Sequence, residues 1–455
     1  MIEGLQPYSE YKESGSEWLG RVPEAWRVRN LRTLISKRNE RNRADLPLLS
    51  VAREKGVFVR SMEDDGENHN VIPEDLSNYK VARTGSLVIN KMKAWQGSMG
   101  IAPCDGIVSP AYFVFDFAIE NRAFGQRLLR SKPYVAHFAA ASDGVRVGQW
   151  DLSIVGIRGI PILMPPPDEQ AAIVRFLDHA NRKIDGFILA KRKLIGLLNE
   201  QKQAIIHRAV TRGLDPNVEL KPSGIPWLGD IPQHWELWPN RAFLRIRKVL
   251  VGERHTEFTL LSLTKRGVIV RDLSEMRGKF SSDMGTSQEV RDGDLVLCLF
   301  DVPETPRTVG LSKHDGMITG AYTVMECKDR GIAEYLELFY IAMDDHKALS
   351  PLYSGLRNTI PKASFLGVKT PVPPSHERAA ILQAVKNDAK SLDLTISRTE
   401  REIALMQEYR TRLTADVVTG KLDVRAAAHK LPDLTDQPQA ELDESSDNEE
   451  VEEEG

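Results

Sequence analysis

The segment "SGSEWLGRVPEAW" at residues 14–26 is written again, nearly unchanged, as "SGIPWLGDIPQHW" at 223–235. Ser14/Ser223, Gly15/Gly224, Trp18/Trp227, Leu19/Leu228, Gly20/Gly229, Pro23/Pro232 and Trp26/Trp235 all pair at one offset, 209. Further on, "PPPDEQAAI" (165–173) and "VPPSHERAAI" (372–381) align Glu169 with Glu377 and Ile173 with Ile381 at offset 208. "AVTRGLD" (209–215) then recurs as "VVTGKLD" (417–423). Weaker echoes lie between: "LLS" at 48–50 and 260–262, "GSLVI" (85–89) against "GDLVL" (293–297), and "GIVSPAY" (106–112) against "GMITGAY" (316–322). The offset drifts only by a few residues, as loop insertions make it do. So long a period is not a solenoid repeat. The chain is a tandem duplication, and its fold has to be built twice.

Each half divides again. The first part carries short β-type runs punctuated by Gly, Pro, Asp and Asn, such as "TGSLVINKM" and "DGDLVLCLF", with helical patches at 122–131 and 333–343. It reads as a mixed α/β module. After the proline pair the pattern turns helical with a 3.5-residue apolar repeat, the signature of a coiled-coil seam. The seam is Val174, Leu177, Ile184, Ile188, Ile195, Leu198 and Ile205 in the first half. In the second it is Leu382, Val385, Leu392, Ile396, Ile403, Met406 and Leu413. Asp168 and Ser375 are expected at the helix caps, with Glu169 and Glu377 in the first turn, and Gly213 and Pro216 stop the first helix. A helix of about 44 residues is about 66 Å long and needs a partner for its stripe. Each half offers one such helix, so pairing the two with each other is the economical solution; an intermolecular coiled coil is the alternative. The expected boundaries are a first module at 1–164, a helix at 165–212, a second module at 213–372, a helix at 373–425 and a tail at 426–455.

Charge separates body from tail. Residues 433–455 hold eleven of the 64 acidic residues and none of the 61 basic ones, so the net −3 of the chain conceals +8 over residues 1–432. A mildly basic body is compatible with a polyanionic partner. The tail, "DESSDNEEVEEEG", is too charged to fold alone and is expected to be disordered. Cys104, Cys298 and Cys327 are few, odd in number and far apart, which suits buried thiols in a reducing cytoplasm. No run approaches the roughly 20 apolar residues of a membrane span, and no signal peptide is visible. Phosphate loops, dinucleotide fingerprints, nucleophile elbows and metal-ligand spacings are all missing. No catalytic or metal-binding residue is expected in this chain.

Together, "SGSEWLG-VPEAW", "NKMKAWQGSMG" (90–100), "DGVRVGQWDLS" (143–153), "IPILMPPPDEQAAIVRFLD" and "AVTRGLDPNVELKPSGIPWLGDIPQHWE" resemble the specificity subunit of Type I restriction–modification systems, over roughly residues 8–425. The stretch from Pro165 to Trp235 is the most specific. The second half departs from the pattern at "VPPSHER" and at "DVPETPR" (301–307), which stands where the first half has "KAWQG". The resemblance implies an α+β fold: two pseudo-repeated target-recognition domains separated by an antiparallel two-helix coiled coil with approximate internal two-fold symmetry. It implies recognition of a bipartite, asymmetric site on double-stranded DNA. It also implies a non-catalytic cytoplasmic role, positioning two DNA adenine methyltransferase (modification) subunits, and restriction (translocase/nuclease) subunits, on that site. S-adenosylmethionine would belong to the modification subunit, with no cofactor in this chain. A non-catalytic scaffold carrying two protein-binding modules on a coiled-coil spacer is the alternative.

DNA affinity requires Lys and Arg on phosphates, and sequence reading requires Arg, Lys, Asn or Gln at base edges. In the first module those residue types gather as Asn90, Lys91, Lys93 and Gln96 around Trp95, with Arg146 and Gln149 in "GVRVGQW". In the second they are Lys265, Arg266, Arg307, Arg357, Asn358 and Lys362, in loops flanked by Gly or Pro. Trp18, Trp26, Trp227 and Trp235 are expected in cores, away from bases.

Overall fold

The computed structural model describes residues 5–60, 75–146, 149–271, 284–305 and 307–432, and of residues 143–151 and 284 the backbone alone. The described residues form two compact units. One consists of residues up to 190 together with those from 401 to 432, and the other of residues 191–400. Strand and helix are mixed in both.

The duplication is visible as repeated topology. In the first unit an antiparallel four-stranded sheet runs in the order Ile35–Lys37, Tyr112–Phe117, Leu87–Asn90, Met99–Ile101. In the second the order is Leu244–Ile246, Thr323–Cys327, Leu295–Leu297, Val309–Leu311. The central strands explain the unbroken apolar runs of the sequence. Leu87 and Ile89 face the main core of the first unit, whereas Val88 enters a smaller core with Val51, Val57 and Val114. Leu295 and Leu297 are divided from Val296 in the same way. Strands buried on both faces read as continuous apolar text, because side chains alternate with period two.

Against each sheet packs a helical segment begun by a side-chain cap. Asn121 accepts from the Phe124 amide at 3.0 Å, and Asp329 from that of Ile332 at 3.0 Å. In the second unit the helix runs unbroken over Arg330–Asp345. In the first, Pro133 divides it into Arg122–Arg130 and Lys132–Ala140, since proline is tolerated only in a first turn.

Each module is closed by pairing a strand near its start, just after the repeated opening segment, with its last strand. Arg27–Asn30 lies antiparallel to Pro161–Met164 in the first unit, and Glu236–Pro239 to Lys369–Val372 in the second. A long helix follows immediately in each case: Pro167–Arg212 and Ser375–Val418. Both start earlier than the cap residues expected from sequence. Pro166 and Pro374 supply the first carbonyls, accepting from Gln170 and Arg378 at 2.9 Å, so Asp168 and Ser375 are already helical. Proline has no N–H to leave unpaired at a helix start, and in the first helix Pro167 is itself the first helical residue, with a φ suited to that position.

All fourteen seam positions are withdrawn from solvent: Leu177, Ile184, Ile188, Val385 and Leu413 are buried and the other nine half-buried. In the first unit residues 167–190 run against 401–418, with Leu177 and Ala180 in one core with Leu413 and Val417, and Asp185 paired to Arg410. In the second unit Ile206 and Val210 share a core with Ile381 and Val385, and Lys202 pairs with Asp393 at 2.7 Å. The stripe is wider than the seam. Ile173 and Phe176, like Ile381, turn a second apolar face toward their own module.

Two boundaries differ from expectation. The second long helix stops at Val418 rather than near 425, where Gly420 takes a φ of +76°. Residues 426–432, expected in the tail, fold onto the first unit. Arg425–His429 is helical, Ala428 is buried, and Leu431 offers its carbonyl to Arg175. Alanine and leucine there give a short helix something to bury, and the acidic run begins only at 433. That run lies outside the described residues.

Candidate nucleic-acid interface

The repeated opening segment can now be explained by its contacts. The pairing of Met164 with Arg27 brings Trp26 beside the start of the long helix, where Glu169 accepts from the Trp26 indole at 2.8 Å and from the Tyr8 hydroxyl at 2.5 Å. In the second unit Glu377 accepts from Trp235 at 3.1 Å and contacts His234 Nε2 at 2.7 Å. Trp26 and Trp235 are fully buried; Trp18 and Trp227 are only half-buried, Trp18 stacked on His137 at 4.3 Å. A left-handed glycine packs on each clasp. A Cβ on Gly420 would lie 2.5 Å from Pro23, and one on Gly213 would lie 2.9 Å from the Glu377 carboxylate. The tryptophans therefore fasten modules to helices, and the candidate DNA contacts lie elsewhere.

In the first unit the strand Leu87–Asn90 delivers a loop at its end. Asn90 Oδ1 accepts from the Met92 amide at 3.1 Å, so its side chain shapes the turn. One turn of 3-10 helix, Ala94–Gln96, is anchored by the fully buried Ala94 and closed by Gly97 at φ +95°. Lys93 is exposed, and Lys91 and Gln96 are half-buried. The amide of Leu152 donates to Lys91 O at 3.0 Å, which lays the hairpin Ser142–Arg146/Gln149–Leu152 beside this loop. Arg146 and Gln149 are paired positions of that hairpin, but their side chains lie outside what is described. The backbone thus brings these six positions onto two adjacent loops.

The second unit repeats the arrangement with different residues. Ile360 donates to Leu299 O at 2.8 Å, as Leu152 does to Lys91, so residues 354–359 flank the loop 298–305. The Asp301 amide donates to Arg357 O at 2.9 Å. Lys347, itself paired with Asp344 at 2.8 Å, donates to the carbonyls of Val302 and Thr305 and pins the loop from below. Arg357 is gripped by Asp301 through Nε at 3.1 Å and through Nη2, and it lies 5.3 Å from the centre of the Phe300 ring. The guanidinium holds the Asp301 carboxyl below its ordinary range. Asn358 is exposed at φ +43°, and Lys362 is exposed at the first turn of Lys362–Gly367. Lys265 and Arg266 are exposed at the tip of the hairpin Leu261–Thr264/Gly267–Val270. Lys265 and Arg307 also line a cavity of about 470 Å³ with Phe300, Asp301 and Tyr322. Cys298 borders it too, and burial pushes its thiol up.

Sequence reasoning missed three features. Arg53 and Lys55 are exposed on the hairpin Leu49–Ala52/Gly56–Val59, the first-unit counterpart of the one bearing Lys265 and Arg266; the "LLS" echo was the available signal. Asp301, an acid, was not sought among cations. A cavity of about 710 Å³ in the first unit is lined by Arg32, Lys37 and Arg158, which are too far apart in sequence to be grouped. Among the described residues no cluster of His, Cys, Asp or Glu could hold a metal ion, and no helix is long and apolar enough to cross a membrane.

No family model matches the sequence, and no curated protein matches it. Solved structures do. A chain of a type I R-M system, studied for its complex assembly and conformational transition, is 12% identical with a TM-score of 0.61, over 88% of this chain and 99% of that one. The HsdS subunit from Thermoanaerobacter tengcongensis is 13% identical with a TM-score of 0.44, over 89% and 98%. The type I restriction-modification S subunit from M. genitalium is 12% identical with a TM-score of 0.31, over 86% and 96%. This chain has the fold of the first of these along nearly its whole length.

Proposed function

We propose that the chain is the DNA-recognition (specificity) subunit of a Type I restriction–modification complex, each module reading one half of a bipartite, asymmetric site on duplex DNA. One observation carries the reading: two modules of the same topology present the same pair of adjacent loops with different side chains. Lys91, Lys93 and Gln96 occupy the loop in one module, Asp301 and Glu304 in the other, with Arg357 beside them. A scaffold repeated for stability has no need to diverge there while keeping its Trp–Glu clasps. The half-sites should therefore differ, as a palindrome read by a symmetric dimer does not. Methyl transfer from S-adenosylmethionine and DNA cleavage belong to modification and restriction subunits, and this chain supplies the address. The exposed leucines on the long helices, Leu197, Leu394 and Leu405, offer apolar surface to such partners.

The test is duplex binding by the full chain, alone and with modification subunits, across a salt series. The logarithm of the binding constant should fall linearly with the logarithm of salt concentration, the mark of phosphate contacts. Exchanging residues 223–370 for the block of a homologue should change one half-site only. Salt-insensitive or absent DNA binding, together with capture of proteins by both modules, would establish the scaffold reading instead.

A further inference from the structure

The second unit's Asp301–Arg357–Phe300 group goes further than general DNA binding. We propose that Arg357 is a guanine-reading residue, held in reading geometry by Asp301 and Phe300; the inference rests on the DNA-recognition reading above.

The grip is asymmetric in a useful way. A guanidinium carries five N–H donors in a planar fork. Asp301 takes the Nε edge and one hydrogen of Nη2. The end of the fork, one N–H on each terminal nitrogen, stays available and points away from the carboxylate. That end matches the O6 and N7 acceptors of guanine in the major groove, the commonest specific arginine contact. The guanidinium carbon lies 5.3 Å from the centre of the Phe300 ring, within cation–π range, a second contact on the same side chain.

The pair is not needed to join the two loops. Asp301 N to Arg357 O and Ile360 N to Leu299 O already do so, and the two Lys347 bonds hold the 298–305 loop independently. Side-chain exposures of 68% for Arg357 and 32% for Asp301 make it a surface pair, which adds little to stability. What it does is remove rotamer freedom from an exposed arginine, lowering the cost of ordering that side chain on a ligand. Backbone on both sides is equally fixed. Asp301 and Asn358 sit in the left-handed region, and residues 354–359 are closed by reciprocal Ser354–Thr359 bonds of 2.9 and 3.0 Å. Lys265 and Arg307 line the cavity that Phe300 and Asp301 also border, placing further cations near a bound strand.

The experiment selects duplexes from a random library with the full chain, in complex with modification subunits, for the wild type, Arg357→Ala, Arg357→Lys and Asp301→Asn. Wild type should select a bipartite site with an invariant guanine in one half. Arg357→Ala and Arg357→Lys should lose on the order of 10- to 100-fold in preference for that guanine, the value of one bidentate contact. Asp301→Asn should lose part of it, and the other half-site and the melting temperature should stay unchanged. An unaltered guanine in Arg357→Ala overturns the inference and leaves the recognition reading standing. So does equal weakening at every position with a lowered melting temperature, which makes the pair a strut. A wild type that selects no sequence overturns both.

Discussion

Glu169 and Glu377 show how one carboxylate can be placed twice and valued differently. Glu169 is 5% exposed and accepts from two buried donors. The Glu377 side chain is 21% exposed, and its second partner, His234, is half in solvent. Removing a donor from a buried charge costs about 1–3 kcal/mol, because nothing replaces the lost bond, whereas water can reach Glu377. Trp26→Phe should therefore destabilise more than Trp235→Phe, by roughly 1 kcal/mol or more in chemical unfolding. Equal costs would mean the indole bonds matter less than the ring packing. Tyr8 adds a pH dependence. Burial, and then the bond to Glu169, pushes its hydroxyl far above the ordinary tyrosine value. A raised folded-state pKa gives stability that is complete below the unfolded value near 10 and is lost as pH climbs beyond it. Tyr8→Phe should flatten the alkaline loss of stability relative to wild type, measured by melting between about pH 9 and 12.

The long helices divide their apolar residues into those that hold the fold and those that do not. Leu177 is fully buried, whereas Leu405 is 61% exposed on the second helix. Leu177→Ala should cost about 2–5 kcal/mol. Leu405→Ala should fall within about 0.5 kcal/mol and act, if at all, on partner binding. Melting curves separate the two. This division was only partly legible in advance. A 3.5-residue count found the seam because pairing imposes that period on Leu177 and Leu413 alike. It did not find Ile173, Phe176 or Ile381, which answer to the sheet modules, since a count along one helix cannot see a second neighbour. The double-sided strands were legible as "LVI" and "LVL". The helix starts were displaced by one or two residues, because the proline carbonyls of Pro166 and Pro374 accept the first helical bonds. At the loops the sequence signalled cations and stopped there. Arg357 was visible as a charge, but its partner Asp301 lies 56 residues away, and only the pairing of two loops joins them.

At the scale of the whole chain the decisive quantity is the charge imbalance between body and tail. Residues 1–432 carry +8, and residues 433–455 carry eleven acidic groups that bring the total to −3. On a DNA-binding protein those groups act as an internal competitor for the same lysines and arginines, or as a repulsive fringe toward phosphate. Both effects are electrostatic and lack sequence information, so deletion of 433–455 should tighten binding to unrelated duplex without altering the selected site. Screening sets the range. The Debye length falls from about 10 Å at 0.1 M salt to about 3 Å at 1 M, so the gain should be largest at low salt and vanish toward the upper end. Paired titrations of full-length and truncated protein on target and non-target duplexes measure it directly. A salt-independent gain would indicate a specific contact made by the tail. A changed target, or a melting temperature several degrees lower, would make the tail part of a module and refute its role as a charged fringe.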